Sequence, residues 1–273
     1  TVLDFSTIRF DVGNDAPYWL FLPSYTAVAW HHRRLEPALQ QQDLGPVLAE
    51  AEGWARTEYL QALARGADLP AEQAERVARR LARYTGLSVD FVRRANLRVS
   101  GGLFQKELLR EQGKTVGRFD GRYVGDDPSD VGASPTYDPS YAAVQGAYTA
   151  AINDHVRRTL GYESDHPYEI LTGRVHPWSF PANNRYVNVG HELRDAMVKN
   201  PGLHVLVASG YYDLATPYFA ADHTVSHLGL DPERRARVTQ TYYRAGHMMY
   251  LRRADLVKLG QDAARFYAES LRR

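Results

Sequence analysis

Residues 203–251 read LHVLVASGYYDLATPYFAADHTVSHLGLDPERRARVTQTYYRAGHMMYL, and this stretch decides the predicted fold. Its first part, residues 203–208, is a short continuous apolar run, which is typical of a strand buried on both faces. Residues 217–228 carry apolar positions at helical spacing, and residues 238–243 form a second β-prone run. The order strand, helix, strand predicts one crossover unit of a parallel sheet.

An acidic residue follows the first of these strands, and a histidine follows the second. Asp213 and His247 would therefore lie at the carboxyl ends of neighbouring parallel strands, which is where such sheets bind ligands. A carboxylate there can fix the tautomer of an imidazole and stabilise its charged form, as a general base working near neutral pH requires. These two residues are the candidate catalytic pair. The alternative is a turn aspartate and an ordinary loop histidine.

Two motifs in this stretch resemble those of a known family. GYYDLATP at residues 210–217 and AGHMMY at residues 245–250 resemble the Asp and His motifs of the serine carboxypeptidases, the carboxypeptidase Y and cathepsin A group, in their bacterial branch. The resemblance extends to TVLDFSTIRFDVGND at residues 1–15, LPSYTAVAWHH at residues 22–32, YTGLSVDFVRRANLRVSGGLFQKELLREQGKTVGRFDGRY at residues 84–123 and YDPSYAA at residues 137–143. It implies an α/β-hydrolase that releases C-terminal amino acids from peptides, so the implied substrate is a peptide.

The nucleophile of that family lies on a sharp turn with a Gly-x-Ser-x-Gly-like sequence, ahead of the Asp and the His in the chain. No serine of this sequence has that context, and Ser209 has Val207 where the turn needs a small residue. The resemblance therefore implies that this chain is the C-terminal portion of the enzyme and supplies Asp213 and His247. The serine would lie in an N-terminal half of the same enzyme, present as a separate chain or as a missing segment.

The resemblance divides the chain into two pieces of one α/β core and an insertion. Residues 1–30 and 186–273 are predicted to belong to the core, and the second piece carries the Asp and His loops. Residues 31–185 match a large, mostly helical lid, which would cover the active site and exclude water. The predicted fold class is therefore α/β, the C-terminal part of an α/β-hydrolase sheet with a large, mostly helical lid insertion.

The expected pocket walls come from the His loop and the lid. Met248 directly follows the candidate base and would line the pocket of the leaving residue. The aromatic loop around Trp178 and the region of His31 are further candidates, although ordinary packing explains them equally well. Residues 1–8 predict the end of a third strand. Its outer edge would be unpaired and apolar, and a separate chain carrying the first half of the enzyme would cover it.

Helical spacing and turn residues predict the remaining elements. The predicted helices are residues 17–35 with a break at Pro23, and residues 44–65, 70–86, 88–95, 104–111, 141–160, 189–199 and 254–271. The last of these carries apolar residues on one face, which are Leu256, Leu259, Ala263, Phe266, Tyr267 and Leu271. Residues 113–125 predict a hairpin because Asp-Gly lies between β-prone flanks.

Composition excludes several function classes. The net charge of +1 gives no electrostatic reason to expect a nucleic-acid partner, and the sequence has no apolar run long enough to span a membrane. The chain has no cysteine, so it forms no internal disulfide. No cofactor is expected. The compartment stays open, although the resemblance favours a periplasmic or secreted protein.

Metal binding and two other functions are weaker alternatives. His223 and His227 are four residues apart on one predicted helix, and two ligands without a third are more typical of a solvated face. The acids between residues 126 and 138 do not have the spacing of a calcium loop, and turn formation explains them. No metal is therefore expected. A same-fold esterase or acyltransferase would use the same triad, and a non-catalytic binding subunit would need no serine.

Overall fold

The computed structural model describes residues 2–180 and 182–272, and the chain is mixed α/β with helices predominating. The α-helices of these residues are α1 Ala16–His31, α2 Pro37–Gln40, α3 Leu44–Trp54, α4 Leu60–Arg65, α5 Ala71–Thr85, α6 Val89–Arg94, α7 Gly101–Glu107, α8 Pro139–Asp154, α9 Gly190–Lys199, α10 Tyr218–Ser226, α11 Pro232–Arg235 and α12 Arg253–Ser270. The strands are β1 Lys114–Val116, β2 Val124–Asp126, β3 Val205–Gly210 and β4 Val238–Tyr243.

β3 and β4 form the parallel pair that the sequence predicts. Val205 lies opposite Val238, and Gly210 lies opposite Tyr243, so the two strands run in register over their full length. α10 lies between them in the chain and packs on β3, which confirms the predicted strand–helix–strand crossover. Because the strands are parallel, the loops that carry Asp213 and His247 leave the sheet at the same edge.

The predicted third strand is not formed. Over residues 2–8, Asp4 makes only an isolated bridge to Asn188, and Phe5–Thr7 is a 3₁₀ turn. The Asp4 carboxylate caps this turn by accepting a backbone N–H at 2.9 Å. Such a local side-chain bond competes with strand pairing, which explains the difference. Thr1, which the prediction also included, lies outside the described residues.

β3 is therefore paired on one edge only, within the part of the chain that the structure describes. The N–H of Val205 donates to Arg237 on the β4 side at 2.9 Å. Since successive residues of a strand direct their N–H groups to opposite edges, Leu206 and Ala208 direct theirs to the free edge. Residues 205–208 are also only half-buried, so the prediction of a strand buried on both faces is wrong for this part of β3.

One continuous hydrophobic core joins the predicted insertion to the α/β part. α1 is buried on nearly all sides and continues through Pro23 without the predicted break. The same buried cluster contains Leu48 of α3, in the predicted insertion, and Phe219 of α10, in the α/β part. The predicted boundary at residue 30 falls near the end of α1, and the division into domains stays a prediction.

α12 matches its predicted bounds closely, but only part of its predicted apolar face is covered: Leu259 packs on the core, whereas Leu256 is exposed. Its buried side chains are Asp255 and Asp262. Asp262 accepts a 3.0 Å hydrogen bond from the hydroxyl of Tyr243 in β4, and this bond sets which side of the helix faces the sheet. The opposite side is an apolar stripe, which we define as Leu256 (49% exposed), Val257 (51%), Tyr267 (67%) and Leu271 (79%).

β1 and β2 form the predicted antiparallel hairpin, but the connection between them is longer than an Asp-Gly turn. Val116 pairs with Val124, so residues 117–123 form a seven-residue loop. This 117–123 loop extends to the carboxyl ends of β3 and β4. Among the described helices, none combines the length and the apolar character needed to cross a membrane.

Candidate active site

Asp213 and His247 lie side by side beyond the ends of β3 and β4. Nδ1 of His247 is 2.8 Å from Oδ2 of Asp213, although 33 residues separate the two in the chain. The crossover accounts for this proximity, because it places the loops after two adjacent parallel strands at one edge of the sheet. The structure thus brings together the two residues that the sequence singles out.

The Asp213 carboxylate is held rigidly and shielded from solvent. It is 3% exposed. Oδ1 accepts the backbone N–H groups of Ala215 at 2.7 Å and of Thr216 at 2.9 Å, while Oδ2 accepts the Thr216 hydroxyl at 2.7 Å. These bonds form an Asx-type turn, which fixes the direction in which the carboxylate faces the imidazole.

The His247 ring has one nitrogen engaged and one available. Because Nδ1 faces an acceptor carboxylate, it carries the proton in the neutral ring, and Nε2 then has a free lone pair. Within residues 2–180 and 182–272, no hydrogen bond is formed by Nε2. The side chain is 35% exposed and lines the groove described below. This arrangement suits a general base.

The 117–123 loop packs directly against the candidate pair. The backbone N–H of His247 donates to the carbonyl of Phe119 at 2.6 Å. The ring centroids of the same two residues are 5.3 Å apart with an interplanar angle of 33°. Arg118 places its guanidinium 4.6 Å from the Phe119 centroid. Sequence reasoning assigned no role to these residues because it treated VGRFDGRY as a local hairpin signal.

Two glycines allow this close packing of backbones. A Cβ atom on Gly210 would lie 2.3 Å from the carbonyl oxygen of Gly246. A Cβ atom on Gly246 would in turn lie 2.3 Å from the carbonyl oxygen of Phe119. Both distances are far shorter than real contacts allow, so the end of β3, the His247 loop and the 117–123 loop can only meet through glycine.

A groove of about 510 Å³ extends from Asp213 and His247 along β3. Its walls come from residues 2–8, from β3 itself and from α10, and they are mainly apolar. Ser209 and Met249 are among the lining residues. The lining includes every residue of β3 from Val205 to Gly210, so the groove runs beside the whole strand and reaches the candidate catalytic pair beyond its end.

None of the three expected pocket walls, Met248, Trp178 and His31, is among the residues that line this groove. Met248 is half-buried and does not line it, whereas the next residue, Met249, does. Trp178 is 60% exposed and stacks on Phe180 with centroids 6.2 Å apart. His31 lies behind the Asp213 loop, where its ring meets Tyr212 edge to face at 5.7 Å.

Among the described residues, no three His, Asp, Glu or Cys side chains lie close enough together to hold a metal ion. The rings of His223 and His227 are 3.9 Å apart, and Nδ1 of His227 lies 2.7 Å from the carbonyl of His223. Asp126 and Asp127 pair with lysines, in agreement with a structural role for these acids.

A comparison of the chain with protein-family models, with curated proteins and with solved structures found no match. The resemblance to the serine carboxypeptidases is therefore a hypothesis that depends on the motifs and on the site geometry described above.

Proposed function

We propose that this chain is the Asp- and His-bearing part of a serine-type carboxypeptidase, which releases C-terminal amino acids from peptides by a Ser-Asp-His mechanism. The observation that carries the proposal is the 2.8 Å contact between Asp213 and His247, whose side chain is partly exposed to the groove. His247 removes the proton of the attacking serine and later protonates the leaving amino group. Asp213 holds the ring and stabilises its charged form.

The serine comes from a partner, the N-terminal half of the same enzyme, as a separate chain or as a segment outside the described residues. Ser209 is a poor candidate, because it lies within β3 opposite Tyr242 and not on a strand-to-helix turn. Among the described hydroxyls, only that of Thr216 contacts the His247 ring, and it contacts Nδ1, which the general base does not use.

The free edge of β3 and the groove beside it support this partner. A strand of the N-terminal half would satisfy the backbone groups of Leu206 and Ala208, as edge pairing does in open sheets. The groove ends at His247, so a serine carried by a neighbouring turn would arrive beside Nε2. The apolar stripe of α12 is a second uncovered surface, which further helices of the same fold would bury.

We further propose that the fold is the C-terminal part of an α/β-hydrolase with residues 31–185 as its lid. The parallel crossover with acid and base at the carboxyl ends of its strands supports the hydrolase assignment. The 117–123 loop supports the lid assignment, because it belongs to residues 31–185 and contacts His247 directly.

An exposed arginine beside the site favours a carboxypeptidase over a same-fold esterase. The guanidinium of Arg118 lies on the Phe119 ring, which itself lies beside the His247 ring. Within the described residues, no carboxylate is within ion-pair distance of that guanidinium. An arginine in such a position can bind the free carboxylate that every carboxypeptidase substrate carries.

The test starts from the tagged chain, purified from its native host together with any bound polypeptide. A serine-directed fluorophosphonate is expected to label a companion polypeptide, and the preparation is expected to hydrolyse blocked dipeptides that have a free C-terminal carboxylate. His247→Ala should abolish labelling and hydrolysis, whereas His155→Ala, at an exposed position of the segment after α8, should leave both unchanged. A preparation with no labelled polypeptide would identify a binding subunit. Turnover of simple esters alone would identify an esterase.

A further inference from the structure

Asp120 is a buried carboxylate with an extensive set of partners. It is 5% exposed. Arg122 donates two parallel hydrogen bonds to it, from Nε to Oδ1 at 2.9 Å and from Nη2 to Oδ2 at 2.6 Å. Oδ2 also accepts the backbone N–H of Gly246, directly before His247, at 3.1 Å. Burial of a carboxylate is costly unless charge and hydrogen bonds compensate it, so the Arg122 fork and the Gly246 bond are both needed here.

Arg122 extends the connection to both loops of the candidate site. Its Nη1 donates to the carbonyl of Arg244, which follows β4, at 2.7 Å. Its guanidinium lies 4.9 Å from the ring centroid of Tyr212, which directly precedes Asp213. One arginine therefore links the 117–123 loop to the His247 loop through a carbonyl and to the Asp213 loop through an aromatic ring.

Backbone hydrogen bonds complete the attachment. The N–H of His247 donates to the Phe119 carbonyl at 2.6 Å. On the other loop, the N–H of Leu214 donates to the Arg118 carbonyl at 3.0 Å. The 117–123 loop thus bonds to the backbone on both sides of the Asp213–His247 contact, although it belongs to a hairpin more than 80 residues earlier in the chain.

From these contacts we infer that Asp120 and Arg122 are positioning residues that hold the His247 loop, and thereby the imidazole, against Asp213. Neither residue touches the His247 ring, so their effect passes through the backbone of residues 244–247. The catalytic meaning of this inference rests on the proposed function. Its structural content, the dependence of the Asp213–His247 hydrogen bond on the Asp120–Arg122 pair, can be tested without turnover.

The structural test uses the chain as purified and follows the low-field proton NMR signal of the His247 Nδ1–H, which reports its hydrogen bond to Asp213. Asp120→Asn keeps the size of the side chain but breaks the charged fork to Arg122. We expect the signal to be lost, or its intensity to fall at least about tenfold, while circular dichroism shows the native helix content. Asp126→Asn, in β2 of the same hairpin, is the matched control because its partner is the half-exposed Lys114.

The kinetic test uses the complete enzyme with its serine-bearing partner. Displacement of a general base by a fraction of an ångström is expected to lower kcat by about tenfold to a hundredfold, with KM changed less than about twofold. A residue that only supports overall stability would change neither the NMR signal nor kcat once the protein is folded. Asp126→Asn should match the unaltered enzyme in both measurements.

Arg122→Lys provides a second variant, which keeps the positive charge but cannot form the two parallel hydrogen bonds to Asp120. If Asp120→Asn does not fold, Arg122→Lys carries the test with the same two expected results. A folded variant of either kind that retains the full His247 signal overturns the inference. Absence of fluorophosphonate labelling in the unaltered preparation would instead refute the proposed function and leave the NMR result standing.

Discussion

Nδ1 of His247 lies 2.8 Å from Oδ2 of Asp213, and the same Oδ2 accepts the hydroxyl of Thr216 at 2.7 Å. The carboxylate therefore has a fixed direction before any substrate arrives. Preorganisation of this kind would let a neutral imidazole become charged during the proposed reaction without rearrangement of its surroundings. Three features of the fold hold the two residues in this position: the β3–β4 crossover, the close backbone packing at Gly210 and Gly246, and the 117–123 loop.

Asp213→Asn should lower the kcat of the proposed peptidase by about 10³-fold to 10⁴-fold, because the amide favours the wrong tautomer of the His247 ring. The Asn oxygen can still accept the backbone N–H groups of Ala215 and Thr216, so the loop should keep its conformation. The measurement is steady-state hydrolysis of a blocked dipeptide. Asp231→Asn, an exposed helix cap at α11, is the control for the same chemical change. A kcat within about tenfold of the unaltered value would contradict the assigned role.

Thr216→Val should lower kcat by about tenfold, because it removes one hydrogen bond to a charged group while nearly preserving the shape of the side chain. Thr216→Ser, which keeps the hydroxyl, should retain most of the activity. The comparison of the two variants separates the hydrogen bond from packing. A larger loss in Thr216→Ser than in Thr216→Val would mean that the Thr216 methyl group, and not its 2.7 Å bond to Asp213, is what the site requires.

Elements whose own residues carry a clear strand or helix pattern could be predicted from the sequence. Residues 238–243 read as a strand, and β4 has those bounds because alternating and β-branched residues favour strand conformation locally. The predicted helix at residues 254–271 is α12 within one residue at each end. Asp213 and His247 could be paired because parallel-strand topology places the ends of β3 and β4 together.

Features that depend on distant contacts could not be predicted. A strand at residues 2–8 requires a neighbour to pair with, and the Asp4 cap replaces that pairing with a turn. Asp120 looks like part of a hairpin turn, whereas its decisive contact is with Gly246 far along the chain. Helical periodicity places Leu256 on the same apolar face as Leu259, but the buried bond that Tyr243 donates to Asp262 leaves Leu256 exposed while Leu259 packs on the core.

A second polar cluster, away from the candidate pair, makes stability depend on pH. Burial raises the pKa of Asp222 to about 6, with the negative charge of Glu52 adding to the effect, although a hydrogen bond from Tyr242 opposes it. The Tyr242 hydroxyl and the Gln240 amide both donate to Oδ1 of Asp222, at 2.9 Å and 2.6 Å. Burial likewise raises the pKa of Glu52.

The folded chain therefore binds a proton at Asp222 more tightly than the unfolded chain does. Its contribution to the free energy of unfolding is greatest below pH 4 and is lost as the pH rises from about 4 to about 6. The change from the ordinary value of 3.8 to about 6 corresponds to at most about 3 kcal/mol. Asp222→Asn should remove this loss, since the neutral amide oxygen can still accept both hydrogen bonds.

Chemical denaturation at pH 4, 5, 6 and 7 tests this prediction for Asp222. The quantity compared is the free energy of unfolding of the variant minus that of the unaltered protein. The variant should gain relative stability with rising pH, most of it by about pH 6. Asp195→Asn, on the exposed side of α9 beside Lys199, is the matched control and should show no such trend. A difference that stays constant across the range would refute the assigned titration.

Arg118→Ala should impair binding only for substrates with a free C-terminal carboxylate. Loss of a charge-assisted hydrogen bond corresponds to about a tenfold to hundredfold rise in KM. The same peptides with an amidated C-terminus should change less than about twofold, because they lack the charge that the guanidinium binds. Arg118→Lys should restore part of the discrimination, and Arg265→Ala, on the exposed surface of α12, should have no effect. An equal rise in KM for free and amidated peptides would show that Arg118 supports the Phe119 ring beside His247 and does not bind the substrate carboxylate.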